Sequence, residues 1–133
     1  MRAIALAVIL LTGVTAAQAQ PYDGSVPMKC AIETVMICSD PSVCVRGTAA
    51  TALLPPVMTV DVANRRMSGD AAGRTVKIVS VGHGPGRLIL HGEDVVLSGT
   101  AWNAVIDQAS GAMTGAALTL SGGFILFGKC SGG

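Results

Sequence analysis

The chain has 133 residues, half of them hydrophobic, with nine Lys and Arg against eight Asp and Glu. That balance lacks the basic surplus by which a nucleic-acid binder displaces counterions, so no nucleic-acid partner is expected. One tryptophan, one tyrosine and two phenylalanines are too few for platforms that stack bases or sugars, or for the aromatic girdles of an outer-membrane barrel.

Arg2 precedes an apolar run from Ala3 to Val14 and a small-residue stretch ending Ala17-Gln18-Ala19. A basic start, an apolar segment and an A-x-A site are the parts of an export signal. Residues 1–19 therefore read as a cleaved signal peptide and 20–133 as a single mature domain. The run falls short of the roughly 20 apolar residues of a membrane span, and the mature chain is not expected to span a membrane. A lipid anchor would need a cysteine directly after the cleavage site, where Gln20 stands. Losing Arg2 leaves eight basic and eight acidic side chains, hence zero net charge. A domain of this length can bury about two thirds of its unfolded surface.

In chain order, residues 20–27 combine Pro21 and Pro27 with turn-formers and read as an extended leader. Met28 to Ile37 carries Ile32, Thr34, Val35 and Ile37, a β-branched density that favours a strand. Ser39-Asp40-Pro41-Ser42 is a turn, and Val43 to Thr48 a partner strand. Short apolar runs then alternate with Gly, Asn, Asp and Ser breaks. They are Val57 to Val62, Thr75 to Val81, Arg87 to His91, Ala101 to Ile106, Ala112 to Leu120 and Phe124 to Lys129, with a short strand at Arg66 to Gly69 completing the first hairpin. The pattern predicts an all-β antiparallel up-and-down meander of about eight strands, closed into a small barrel or strongly curved, with a two-layer sandwich as the alternative.

Asp61 to Gly69 and Asp107 to Gly115 share the pattern D-x-A-x-x-x-M-[ST]-G at an offset of 46 residues. An aspartate at a strand end can hydrogen-bond the turn backbone, a methionine fills core space, and a closing glycine permits a bulge.

The four cysteines, carried into an oxidising compartment, read as two disulfides. Cys38 and Cys44 straddle the turn and suit a local bridge, which leaves Cys30 and Cys130 to tie the first strand to the last. With Cys30, Ile32, Thr34 and Met36 on one strand face and Phe124, Leu126, Gly128 and Cys130 on another, both thiols point into one core. The intervals between cysteines match neither C-x-x-C redox motifs nor zinc pairs.

No catalytic, metal or cofactor motif emerges. His83, within Gly82-His83-Gly84-Pro85-Gly86, is expected at a hairpin tip and His91 at the far end of the returning strand, too distant to share a metal. His91, Glu93 and Asp94 read as a solvated acidic turn, and Arg65-Arg66 as a solvated loop. Trp102 either plugs the core or marks a ligand pocket, and Trp102 and His91 are the candidate contacts.

Trp102, Val105-Ile106-Asp107, Ser110-Gly111 and Gly123-Phe124-Ile125-Leu126-Phe127-Gly128-Lys129-Cys130 resemble the ends of small exported, cysteine-containing β-proteins of proteobacteria. The resemblance covers about thirty residues and implies a bacterial periplasmic or secreted β-fold without functional residues. The expectation is a non-enzymatic binding or inhibitory module for a small apolar ligand or a protein partner. A structural envelope component and a small hydrolase are the alternatives.

Overall fold

The computed structural model describes residues 21–69, 74–94 and 100–132. The segment expected to be a signal peptide, residues 1–19, lies outside the described residues. Nine strands occur among them: β1 (Met28–Asp40), β2 (Val43–Gly47), β3 (Val57–Asp61), β4 (Arg66–Gly69), β5 (Thr75–Gly84), β6 (Arg87–Asp94), β7 (Thr100–Asp107), β8 (Ala112–Thr119) and β9 (Gly122–Gly132). Each neighbouring pair is antiparallel, and β9 pairs back onto β1, so eight strands close an up-and-down barrel with β2 as an extra strand on β1. Closure satisfies the backbone groups that an open sheet would leave as sticky edges. The exposed edge that remains, β2, is only five residues long.

Alternation sorts the side chains. Val60, Met67, Ile78, Leu88, Leu90, Ala104, Ile106, Met113 and Leu126 are buried within the barrel, whereas Lys29, Arg66, Lys77, Arg87, His91, Glu93 and Lys129 are exposed on its outside. The inward rows supply one apolar core, which is the driving force for closure.

In β1 the expected inward set, Cys30, Ile32, Thr34 and Met36, holds only as far as Ile32. A bulge between Ile32 and Thr34 in the ladder with β9 shifts the register. One extra residue reverses the period of two, so Val35 and Ile37 join the core and Met36 turns outward. Gly82 to Gly84 also departs from expectation, because β5 runs on through His83, which pairs with Leu88, and the turn narrows to Pro85-Gly86. Likewise β6 continues through Glu93 and Asp94 instead of ending in an acidic turn.

The 46-residue echo falls on equivalent places. Asp61 and Asp107 each end a strand, Arg65 (φ 54°) and Gly111 (φ 75°) each adopt the left-handed conformation that closes the turn, and Met67 and Met113 each enter the core. The segments β3-β4-β5 and β7-β8-β9 lie four strands apart in a ring of eight, so the echo corresponds to half a turn of the barrel.

Both ends are covered. At the leader end, the Tyr22 amide donates to the Gln108 carbonyl, and the ring of Tyr22 lies against Gly111, where a Cβ would come within 2.9 Å of it. At the other end β3 and β4 are short, and residues 48–56 fold over the gap. There the Ile32 amide donates to Pro56 O and the Leu54 amide to Ala49 O. Gly69 abuts this lid, since a Cβ there would meet Pro55 Cγ at 2.6 Å.

Cys30 and Cys130 are directly opposed in the β1–β9 ladder and bonded, as are Cys38 and Cys44 in β1–β2. The Cys30–Cys130 bridge spans 100 residues and, by the chain-entropy relation, stabilises by about 4.7 kcal/mol, against about 2 kcal/mol for the local one. Replacing Cys30 and Cys130 together by serine is therefore expected to lower the free energy of unfolding in urea at least twice as much as replacing Cys38 and Cys44.

The turn aspartates make stability pH-dependent. Hydrogen bonds from the Asn64 side chain and backbone hold the Asp61 carboxyl below its ordinary value, and the Ser110 backbone and hydroxyl do the same for Asp107. A carboxyl depressed on folding stabilises fully above its unfolded value of about 3.9, and that contribution is lost as pH falls toward the depressed value. Melting temperature is expected to be flat at neutral pH and to drop below about pH 4, with a shallower acid decline in the Asp61→Asn, Asp107→Asn double variant.

Candidate functional site

The inward residues of the lid half do not fill their space. A cavity of about 220 Å³ is walled by Met58, Val60, Met67, Val76, Leu90, Trp102, Ile106, Met113, Phe124 and Leu126, with Ala52, Leu54 and Pro55 of the lid above. Strand shortness explains its position. β3 and β4 contribute five and four residues, so few side chains reach the lid half from that side. Across the barrel, Gly92, Gly115 and Ala117 keep their sides of the wall thin.

Trp102 stands on β7 between the buried Ala104 and the lid end, packed on the core and lining the cavity. Its position depends on Gly92, its partner across the β6–β7 ladder. A Cβ on Gly92 would overlap both the indole ring and the Lys77 carbonyl oxygen. The indole therefore lies over bare backbone, a close approach that only glycine permits. Trp102 Nε1 is buried and finds no hydrogen-bond partner among the described residues. Buried donors are nearly always paired, so an orphan beside an apolar cavity marks a place for an acceptor that the described residues do not supply.

The polar element of the rim is an ion pair. Arg74 Nε donates to Asp94 Oδ2 at 3.1 Å, Arg74 Nη2 contacts the same oxygen, and Arg74 Nη1 donates to the Leu53 carbonyl at 3.3 Å. Asp94 is buried, 4% exposed, and is compensated by this fork. The guanidinium thus ties the start of β5 to the end of β6 and both to the lid. Leu53 itself has φ 57° and an exposed side chain. A leucine held in left-handed conformation needs such anchoring of its neighbours.

Of the residues singled out in the sequence, Trp102 lines the cavity while His91 points outward, exposed, opposite Ser80 and Asn103. His91 and Asp94 occupy opposite faces of β6, which keeps them from sharing an ion. Arg65 is in a turn, where Nη1 donates to Val79 O, and Arg66 begins β4 with Nε 3.7 Å from Asp61. The lid and the Arg74–Asp94 pair carry no motif. Their one sequence signal is an apolar run, Ala49 to Leu54, that ends in Pro55-Pro56 where no strand can continue.

Gly92→Ala is expected to displace the indole, lower the melting temperature and shift the emission of this single tryptophan to the red. Unchanged emission would show that Trp102 does not rest on Gly92. Comparison with protein-family models, with curated proteins and with solved structures finds no match to this chain.

Proposed function

We propose that this protein is an exported, non-enzymatic carrier or sensor that binds one small, uncharged, mainly hydrocarbon molecule inside the barrel. The observation that carries the reading is Trp102 Nε1, without a partner among the described residues, on the wall of an apolar cavity. Eight-stranded barrels have interiors that are either filled by side chains or wide enough for one small ligand, and this one leaves room in its lid half.

The dimensions and chemistry of the cavity limit what fits. At an interior packing density of about 0.75, about 220 Å³ accommodates a molecule of roughly ten non-hydrogen atoms. The lining favours an alkyl or alicyclic body, and the indole N–H favours a single acceptor such as a ketone, aldehyde, ester or ether oxygen. A carboxylate or ammonium ligand would have to be desolvated among Met, Leu and Val, with Arg74 already committed to Asp94 and the lid. The same commitment favours binding over hydrolysis, because the ionised groups at the rim are locked into a structural fork and His91 faces the opposite way. Export is supported by the signal-like N-terminus and by two disulfides that suit an oxidising compartment.

The ligand class is tested by calorimetric titration with 2-nonanone and with n-decane, matched in size but differing in the acceptor. The ketone is expected to bind about tenfold more tightly, the increment of one otherwise unmade hydrogen bond of about 1.4 kcal/mol. Trp102→Phe should erase the difference while keeping residual affinity for both. Absence of binding by either probe would refute the reading, and equal binding to the wild type would remove Nε1 from it.

A further inference from the structure

The outside of β7, β8 and β9 is unlike the rest of the barrel. Residues 108–128 contain no ionisable side chain. Across the sheet, outward positions line up in register: Val105 with Thr114 and Phe127, Asn103 with Ala116 and Ile125, and Ala101 with Leu118 and Gly123. Met36 of β1 extends the second row. Val105, Ile125 and Phe127 are each about two fifths exposed, Leu118 is 65% exposed and Leu120, in the β8–β9 turn, is 99% exposed. The charges of the outer surface lie instead on β4, β5 and β6, at Arg66, Lys77, Arg87 and Glu93, on β1 at Glu33, and at the leader end of the barrel at Lys29, Asp107 and Lys129.

The apolar stripe rises toward the lid end and finishes in a protruding turn. That turn stands beside the cavity mouth, because Thr119 lines the cavity between Leu118 and Leu120. Leu53, on the lid at the same end, is 83% exposed. Exposed leucines gathered at the opening of a hydrocarbon cavity are the arrangement by which a soluble domain meets an apolar phase.

We infer that the β8–β9 turn and the stripe behind it dock on the surface of a neutral lipid bilayer, with Leu118 and Leu120 inserted among the acyl chains and the cavity mouth facing the membrane. Part of this rests on the cavity binding an apolar ligand, which would then pass between the bilayer and the barrel. Lipid is favoured over a second copy of the chain by shape. Leu120 is a projecting tip, which a fluid hydrocarbon phase accepts without a complementary pocket. The shallow groove beside it, between Cys38–Pro41 and Gly122–Ile125, is bordered by Asp40, an ionised group that an apolar partner would have to leave hydrated. Asp40 accepts hydrogen bonds from Ser42 and Val43, which keep it charged. With a charge-free contact strip, binding should not require anionic lipid.

The test uses the full mature chain with phosphatidylcholine vesicles. Co-sedimentation is expected, nearly independent of salt and little changed by added anionic lipid. Leu120→Asp and Leu118→Asp should each weaken partition by about tenfold or more while leaving the affinity for 2-nonanone in vesicle-free buffer unchanged. Should the aspartate variants misfold, Leu120→Trp provides a direct reading, since its emission should move to the blue on adding vesicles and be quenched by brominated acyl chains. A wild-type chain that stays in solution with every vesicle, or a Leu120→Trp emission that ignores them, overturns the proposal. So does a dimer in solution that Leu120→Asp dissociates, which would assign the stripe to a second copy. Vesicle binding without 2-nonanone binding would preserve the docking surface and defeat only the cavity reading.

Discussion

Closure of the sheet on itself is the constraint from which the rest of the structure follows. The ladder between β1 and β9 joins residues from the two ends of the described chain, the most expensive loop for a chain of this length to close. Cys30 and Cys130 sit opposite each other in that ladder, so their bond removes much of the entropy that an open chain would gain. Once the ring is shut, every inward row faces an enclosed volume. The apolar residues that fill it have no other way to leave water.

A closed ring of unequal strands cannot fill its interior evenly. The long strands β1 and β9 reach the lid end, while β3 and β4 stop short and β5 begins level with the end of β4, where Thr75 pairs with Ser68. That mismatch has two linked results. The chain between β2 and β3 must fold over the gap as a lid, and the space beneath it is lined by side chains that do not meet. The cavity is therefore a product of strand length rather than of any single residue, and Gly92 enlarges its wall by letting the indole of Trp102 lie flat against backbone.

The polarity of the barrel is inside-apolar and, outside the lid-side rows of β7 to β9, outside-charged. Membrane-spanning barrels show the opposite arrangement, with a polar lumen and an apolar belt all round. Here the uncharged outer region is a stripe across β7 to β9, which suits a domain that touches an apolar surface from one side. Interior cavity and exterior stripe meet at the lid end, so the two proposed roles, holding a hydrocarbon and approaching its source, share one geometry.

Much of this was legible in the residues. Eight of the nine strands were readable as β-branched or apolar runs between turn-formers, and β4 as the return of the first hairpin, because alternation and turn chemistry are local properties. The disulfide pairing followed from loop length, and the 46-residue echo from its recurring Asp, Met and Gly. Trp102 stood out because it is the sole tryptophan, although its burial against Gly92 did not. What the sequence could not convey was long-range or depended on counting along a strand. The bulge after Ile32 reverses which residues of β1 face inward, and no residue type announces it. Asp94 was read as a solvated turn because its neutralising partner, Arg74, is twenty residues away and meets it only when β5 and β6 pair. The amino-acid sequence by itself determined the strands, their turns and the covalent staples, since each depends on nearby residues or on thiol chemistry. Only the tertiary structure decided the cavity, its orphan N–H and the lid, because an empty space is defined by the side chains from distant strands that fail to meet across it.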